Sequence, residues 1–72
     1  MPRRFSGAHS RQKRLDVGLR AEKVALEIGR SWYSIKEYEH GRVVPSTSVL
    51  IALADLYGCA VDDLLEEVSD AI

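Results

Sequence analysis

Seventy-two residues, 46% of them hydrophobic and 29% charged, are enough for one small globular domain and leave no room for a second ligand-binding domain beside it. The net charge of −1 hides a division: residues 1–44 hold ten Arg and Lys against five Asp and Glu, whereas residues 45–72 hold six Asp and Glu and no Arg or Lys. A basic front half suits a polyanionic partner better than the total charge suggests, although such a pattern also occurs without any partner.

Glycines divide the chain, and the pieces between them read as helices. Residues 1–5, with Arg3 and Arg4, read as a flexible basic arm, either touching a polyanion or simply disordered. Residues 7–17 form the first helix, with Ser6 as cap and Ala8 and Leu15 as apolar anchors, ending before Gly18. In the second, Ala21, Val24, Ala25 and Ile28 recur at i, i+3, i+4 and i+7, one face of a helix, and Gly29 suits a left-handed stop. A third helix starts at Trp32 behind the cap Ser31 and stops before Gly41. "RVVP" follows as an extended link, because Val44 precedes Pro45. Ser46 caps a fourth helix whose Leu50, Leu53, Ala54 and Tyr57 repeat the apolar spacing, closed by Gly58. A fifth is expected from about Val61, carrying Leu64, Leu65 and Val68, with Asp62 and Asp63 near its positive N-terminal end. No window alternates as a strand does. The expected fold is all-α, a compact five-helix bundle over residues 6–69, with 70–72 as a tail.

The stretch "EIGRSWYSIKEYEHGR", Glu27 to Arg42, decides what such a bundle could touch. At about 100° per residue, Ile35, Tyr38 and Ser31 share one side of the third helix. Tyr33, Lys36, Glu37 and His40 fall on the opposite side, while Trp32 and Glu39 lie on the shoulders. Tyr33 is then an exposed aromatic beside a cation, whereas Trp32 either packs on the second helix or joins the exposed face. Two short helices joined by a tight glycine turn, the second amphipathic, form a helix-turn-helix.

On these residues the chain resembles the Cro/lambda-repressor-like (XRE-type) helix-turn-helix family. Ala25, Gly29 and Ile35 stand at the family's separations of four and six. "GL" at Gly18–Leu19, "YEHGRVVPS" at Tyr38–Ser46 and "LADLYGCAVDDLL" at Leu53–Leu65 extend the match, to roughly residues 7–68. The resemblance implies five packed helices, the third entering the major groove of double-stranded DNA. It assigns base reading to Trp32, Tyr33, Lys36 and Glu37. A glutamate can accept from the cytosine amino group, a lysine can donate to guanine or phosphate, and an aromatic edge can meet a thymine methyl. It assigns phosphate contacts to Arg20, Ser31, His40 and Arg42, which set register without reading sequence. It also implies an ion pair between Arg14 and Glu39. Two departures matter: Ala21 stands where relatives often carry glutamine, and Ser10 where they usually carry leucine, so that the first helix packs loosely or Phe5 fills the gap.

Other chemistry finds little support. Cys59 is the only cysteine, which excludes an internal disulfide, argues against a zinc cluster and suits a reducing cytosol; it reads as a small buried hydrophobe. No nucleophile-and-base set, phosphate-cradling loop or metal spacing occurs, so neither enzyme activity nor a cofactor is expected. Asp16 and Glu22 read as ordinary helix carboxylates, and Asp62–Glu67 as a solvated face. Nor does any stretch approach the roughly 18 apolar residues of a membrane span, and the basic start lacks a signal peptide's apolar run. The reading is a small transcriptional regulator of bacterial or phage origin, in the cytoplasm at the nucleoid. Val61, Leu65, Val68 and Ile72 exceed what a small core absorbs, which implies a homodimer through the last helix. A protein-binding adaptor of the same fold is the alternative; an antitoxin or restriction-modification controller would share the DNA mechanism.

Overall fold

A computed structural model describes residues 2–68 of the chain. In order, it contains β1 (Arg3–Phe5), α1 (Gly7–Asp16), α2 (Ala21–Ile28), α3 (Trp32–Glu39), α4 (Thr47–Tyr57), a single 3-10 turn (Val61–Leu64) and β2 (Leu65–Glu67). Three serines start three of the helices. Ser6, Ser31 and Ser46 each accept a hydrogen bond from the backbone N–H three residues on, at 3.1, 3.1 and 3.4 Å. Each satisfies a donor that the first helical turn would otherwise leave unpaired. Gly29 ends α2 at φ +70°, a left-handed conformation in which a Cβ would be strained. That residue turns the chain from α2 into α3.

The core lies where α2, α3 and α4 meet, and Val24, Ala25, Ile35, Tyr38, Leu53 and Leu64 are buried there. The i, i+3, i+4 spacing of α2 delivers Ala21, Val24 and Ala25 to this core, with Ile28 half-buried at its edge. In α4, Val49 is buried and Leu50 only partly so.

Two expectations fail. The first concerns the ends of the chain. Among the described residues there is no fifth α-helix: Val61–Leu64 makes one 3-10 turn, in which the Asp63 carboxylate accepts from the Ala60 N–H at 3.0 Å. Leu65–Glu67 then extends and pairs antiparallel with Arg3–Phe5, in register Arg3↔Glu67, Arg4↔Glu66 and Phe5↔Leu65. Arg3–Phe5 is therefore a strand and not a loose arm. Backbone bonds from Ser6 N to Leu64 O (2.8 Å) and from Val68 N to Pro2 O (2.9 Å) flank the ribbon. Arg4 donates to Glu66 at 2.9 Å, and Arg3 pairs with Asp62. The two N-terminal arginines are thus largely compensated by the acidic end of the chain. A three-residue strand shows too little alternation to be seen in sequence.

The second concerns α1. Ala8 and Leu15 are exposed, and the buried residues are Gly7, Ser10 and Arg14, a helical face made of small and charged side chains. It lets α1 approach α3 closely: a Cβ added at Gly7 would lie 2.6 Å from the Glu39 carbonyl oxygen and closer still to that of Tyr38. Ser10 is fully buried, and the Tyr57 hydroxyl, also buried, has no hydrogen-bond partner among the described residues. α1 is therefore tightly seated at this point. Phe5 packs, half-buried, at the core's edge.

Candidate nucleic-acid interface

What holds α3 in place is on its inner side. Ile35 is 1% exposed, and Tyr38 and Glu39 are buried with it. Glu39 meets Arg14 in a bidentate pair, with Nε donating to Oε2 at 2.6 Å and Nη2 to Oε1 at 2.9 Å. The remaining Nη1 donates to the Leu19 carbonyl at 2.9 Å. One guanidinium therefore ties α1, the link before α2, and α3 together, which fixes the angle at which α3 is presented. The Glu39 carboxylate raises the Arg14 pKa above its already high ordinary value. Behind the pair, burial pushes the Tyr57 hydroxyl up to about 12. Burial also raises the Cys59 thiol, as suits an inert, partly buried residue.

The outer side carries the aromatic residues. Tyr33 is 65% exposed, and Trp32 is about half exposed at the start of the helix. Trp32 is not absorbed by the core; with Leu19, Arg20, Glu22 and Lys36 it lines a shallow hollow between α2 and α3. Arg20 is exposed at the N-cap of α2, where no side chain caps the helix. Ser31 is exposed, and its hydroxyl is engaged with Ser34 in the cap of α3. His40 is exposed and ends α3, its N–H donating to the Lys36 carbonyl at 2.9 Å.

Glu37 departs from the helical-wheel expectation. It lies on the outer side, yet its side chain is only 13% exposed, because two neighbours cover it. The Tyr33 hydroxyl donates to Oε1 at 3.3 Å, and Arg42 Nε donates to Oε2 at 2.8 Å. Arg42 Nη2 also reaches His40 Nδ1 at 3.3 Å, where the imidazole nitrogen must accept. The backbone N–H groups of Arg42 and Val43 both donate to the Glu37 carbonyl, at 3.0 and 3.4 Å. The resemblance separates these residues into a base reader, Glu37, and a phosphate contact, Arg42. The i, i+4 spacing of Tyr33 and Glu37 was a usable signal for half of the cluster. The return of Arg42 over the helix end depends on the turn at Gly41 and is not visible in spacing.

The structure thus brings Trp32, Tyr33, Lys36, Glu37, His40 and Arg42 onto or beside the exposed side of α3, with Arg20 at the neighbouring end of α2. Arg14 and Glu39 lie behind it. The sequence matches the helix-turn-helix domain family over residues 7–68. The chain belongs to that family. Among solved structures, this helix-turn-helix domain is similar to the clp gene regulator ClgR from Corynebacterium glutamicum, with a TM-score of 0.77 and 29% identity. That match covers 81% of this chain but only 62% of the ClgR chain, so the domain spans less than two thirds of that relative. It is also similar to the DNA-binding domain of the P22 c2 repressor, with a TM-score of 0.78 and 25% identity over 89% of this chain and 84% of that one. The restriction-modification controller C.AhdI from Aeromonas hydrophila shares the fold, at a TM-score of 0.75 and 24% identity, with 81% and 84% covered. No curated protein matches the sequence. The lambda-repressor-like fold expected from the resemblance is therefore present, with a strand ribbon in place of its last helix. Among the described residues, no helix is long and apolar enough to cross a membrane.

Proposed function

We propose that the protein is a sequence-specific DNA-binding transcriptional regulator of the cytoplasm that works by binding and not by catalysis, with α3 seated in the major groove of duplex DNA. The observation that carries this reading is the contrast between the two sides of α3. Ile35, Tyr38 and Glu39 anchor one side, and the other presents Trp32 and Tyr33 to solvent at the helix N-terminus, the end from which helices of this class read bases. The exposed edges of these rings can pack on thymine methyl groups.

In this reading, Trp32, Tyr33, Lys36 and the Glu37 cluster face the base edges. Arg20, Ser31 and His40 flank them at the phosphates. The pairing of Arg3 and Arg4 with Asp62 and Glu66 reserves the cationic contribution for Arg20, Lys36 and their neighbours. Two copies would occupy half-sites about 34 Å apart, as dimeric relatives of this geometry do. The contact between them is expected at the C-terminal segment, which is a 3-10 turn and a strand as far as Glu67 and not a helix there. The part of the expected dimer surface at Ala71–Ile72 lies outside the described residues.

Affinity for a random-sequence duplex measured across a salt series tests the proposal. Binding that weakens linearly on a log–log plot, by about 0.9 for each phosphate neutralised, is the expected result. No binding at low salt, or binding indifferent to salt, would overturn it.

A further inference from the structure

By the family resemblance, Glu37 reads a base and Arg42 touches a phosphate. The geometry points to a different division of labour: we infer that Glu37 holds Arg42 as a charge-compensated fork, and that Arg42 reads a guanine in the major groove. This deepens, and rests on, the DNA-binding reading above.

Exposure is the first reason. The Glu37 side chain is 13% exposed and the Arg42 side chain 61%. Both carboxylate oxygens already accept, one from Tyr33 Oη and one from Arg42 Nε, so little of the carboxylate is left to meet a cytosine amino group. By contrast, Arg42 Nη1 has no hydrogen-bond partner among the described residues, and Nη2 touches only the His40 imidazole nitrogen at 3.3 Å. The donating end of the guanidinium is open.

Orientation is the second reason. Arg42 is tied to Glu37 twice, through its side chain and through its own backbone N–H on the Glu37 carbonyl at 3.0 Å. A long side chain on a surface turn normally loses much rotational freedom when it binds. Here part of that loss is already incurred in the free protein, so the fork arrives oriented. Planar paired donors match guanine N7 and O6, the commonest specific contact of arginine in the major groove.

Charge separates guanine from phosphate. A phosphate attracts net positive charge and releases counterions in proportion to it. The Arg42–Glu37 pair is close to neutral, so it contributes little there. Hydrogen bonding to a base edge requires placed donors and survives the compensation. Glu37 is accordingly a positioning residue and Arg42 the reader.

The test is selection of bound duplexes from a random pool, together with salt series, for the wild type, Glu37→Gln, the double variant Arg42→Gln/Glu37→Gln, and Arg20→Gln. The double variant keeps the net charge. Its expected behaviour is loss of preference at one G·C pair, roughly 10-fold or more, with the rest of the motif and the salt slope retained. Glu37→Gln alone weakens that preference without abolishing it. Arg20→Gln keeps the motif and lowers the slope by about 1. A double variant that keeps the whole motif while binding more weakly, with a reduced slope, would make Arg42 a phosphate contact and overturn the inference. So would a Glu37→Gln variant as unselective as the double one, because the carboxylate would then be the reader. A wild type that selects no motif removes the DNA reading itself, a failure distinct from either of these.

Discussion

The Arg14 guanidinium and the Glu39 carboxylate form a buried bidentate pair that joins α1 to α3, while Glu37, two residues earlier, forms an ion pair at the surface with Arg42. The two glutamates of one helix therefore have separable roles. Glu39→Ala leaves a buried arginine without its partner, a loss of about 3–5 kcal/mol. Glu37→Ala breaks a pair whose arginine is mostly in water, a loss of about 0–1 kcal/mol. Denaturant unfolding should therefore show a large drop for Glu39→Ala and a small one for Glu37→Ala. Equal drops would contradict the assignment.

Gly7 is a second point of support between the same two helices. In a helix, alanine normally gains up to about 1 kcal/mol over glycine. At this position the new Cβ meets the backbone carbonyls at the end of α3, which cannot swing aside as a side chain could. Gly7→Ala should therefore destabilise the domain, by roughly 1–3 kcal/mol. A melting temperature equal to or above that of the wild type would show that α1 does not approach α3 so closely.

Tyr57 gives a prediction with a pH sign. Its hydroxyl is buried without a completed hydrogen bond, and its pKa is raised from 10.0 to about 12 in the fold. In the unfolded chain the group ionises near 10, so the folded state loses stability as pH rises from about 10 towards 12. Below pH 10 the contribution is fully present. Unfolding free energies of wild type and Tyr57→Phe should diverge over that window, by about 2 kcal/mol at its upper end. At pH 7 the Phe variant should be as stable as the wild type or slightly more so, since no made hydrogen bond is lost. Parallel curves up to pH 12 would mean that the hydroxyl is solvated.

Ser31 serves α3 before it serves any ligand. Ser31→Ala removes the acceptor for the Ser34 N–H and should cost about 1 kcal/mol. Ser31→Asp keeps a cap while placing an anion where phosphate is expected. Stability close to the wild type combined with weaker DNA binding is the predicted outcome for Ser31→Asp. Unimpaired binding by that variant would remove Ser31 from the phosphate contacts.

Much of this was legible in the residues. Apolar spacing in α2 and the Ile35–Tyr38 side of α3 report burial directly, and Ser6, Ser31 and Ser46 announce their helices through the chemistry of the cap. The ribbon was not legible. Arg3–Phe5 and Leu65–Glu67 are too short to alternate, and what pairs them is that the two ends of the chain meet. The face of α1 was misread for a similar reason. Its buried residues, Gly7, Ser10 and Arg14, are buried because α3 comes close and Glu39 waits there, not because they are apolar. Within the candidate site, position around the helix places Tyr33 on the exposed side but does not show the cover over Glu37, half of which is supplied by Arg42 from beyond the helix end.

The central claim is that the outer side of α3 is where DNA binds. Titrating the isotope-labelled protein with a random-sequence duplex of about 20 base pairs at low salt, and following each backbone amide by NMR, tests it directly. Shifts should concentrate at the α2 N-terminus around Arg20, along Ser31–Glu37 and at His40–Val43, and should recede as salt is added. Shifts confined to α4 or to the β1–β2 ribbon, or none at all, would contradict it.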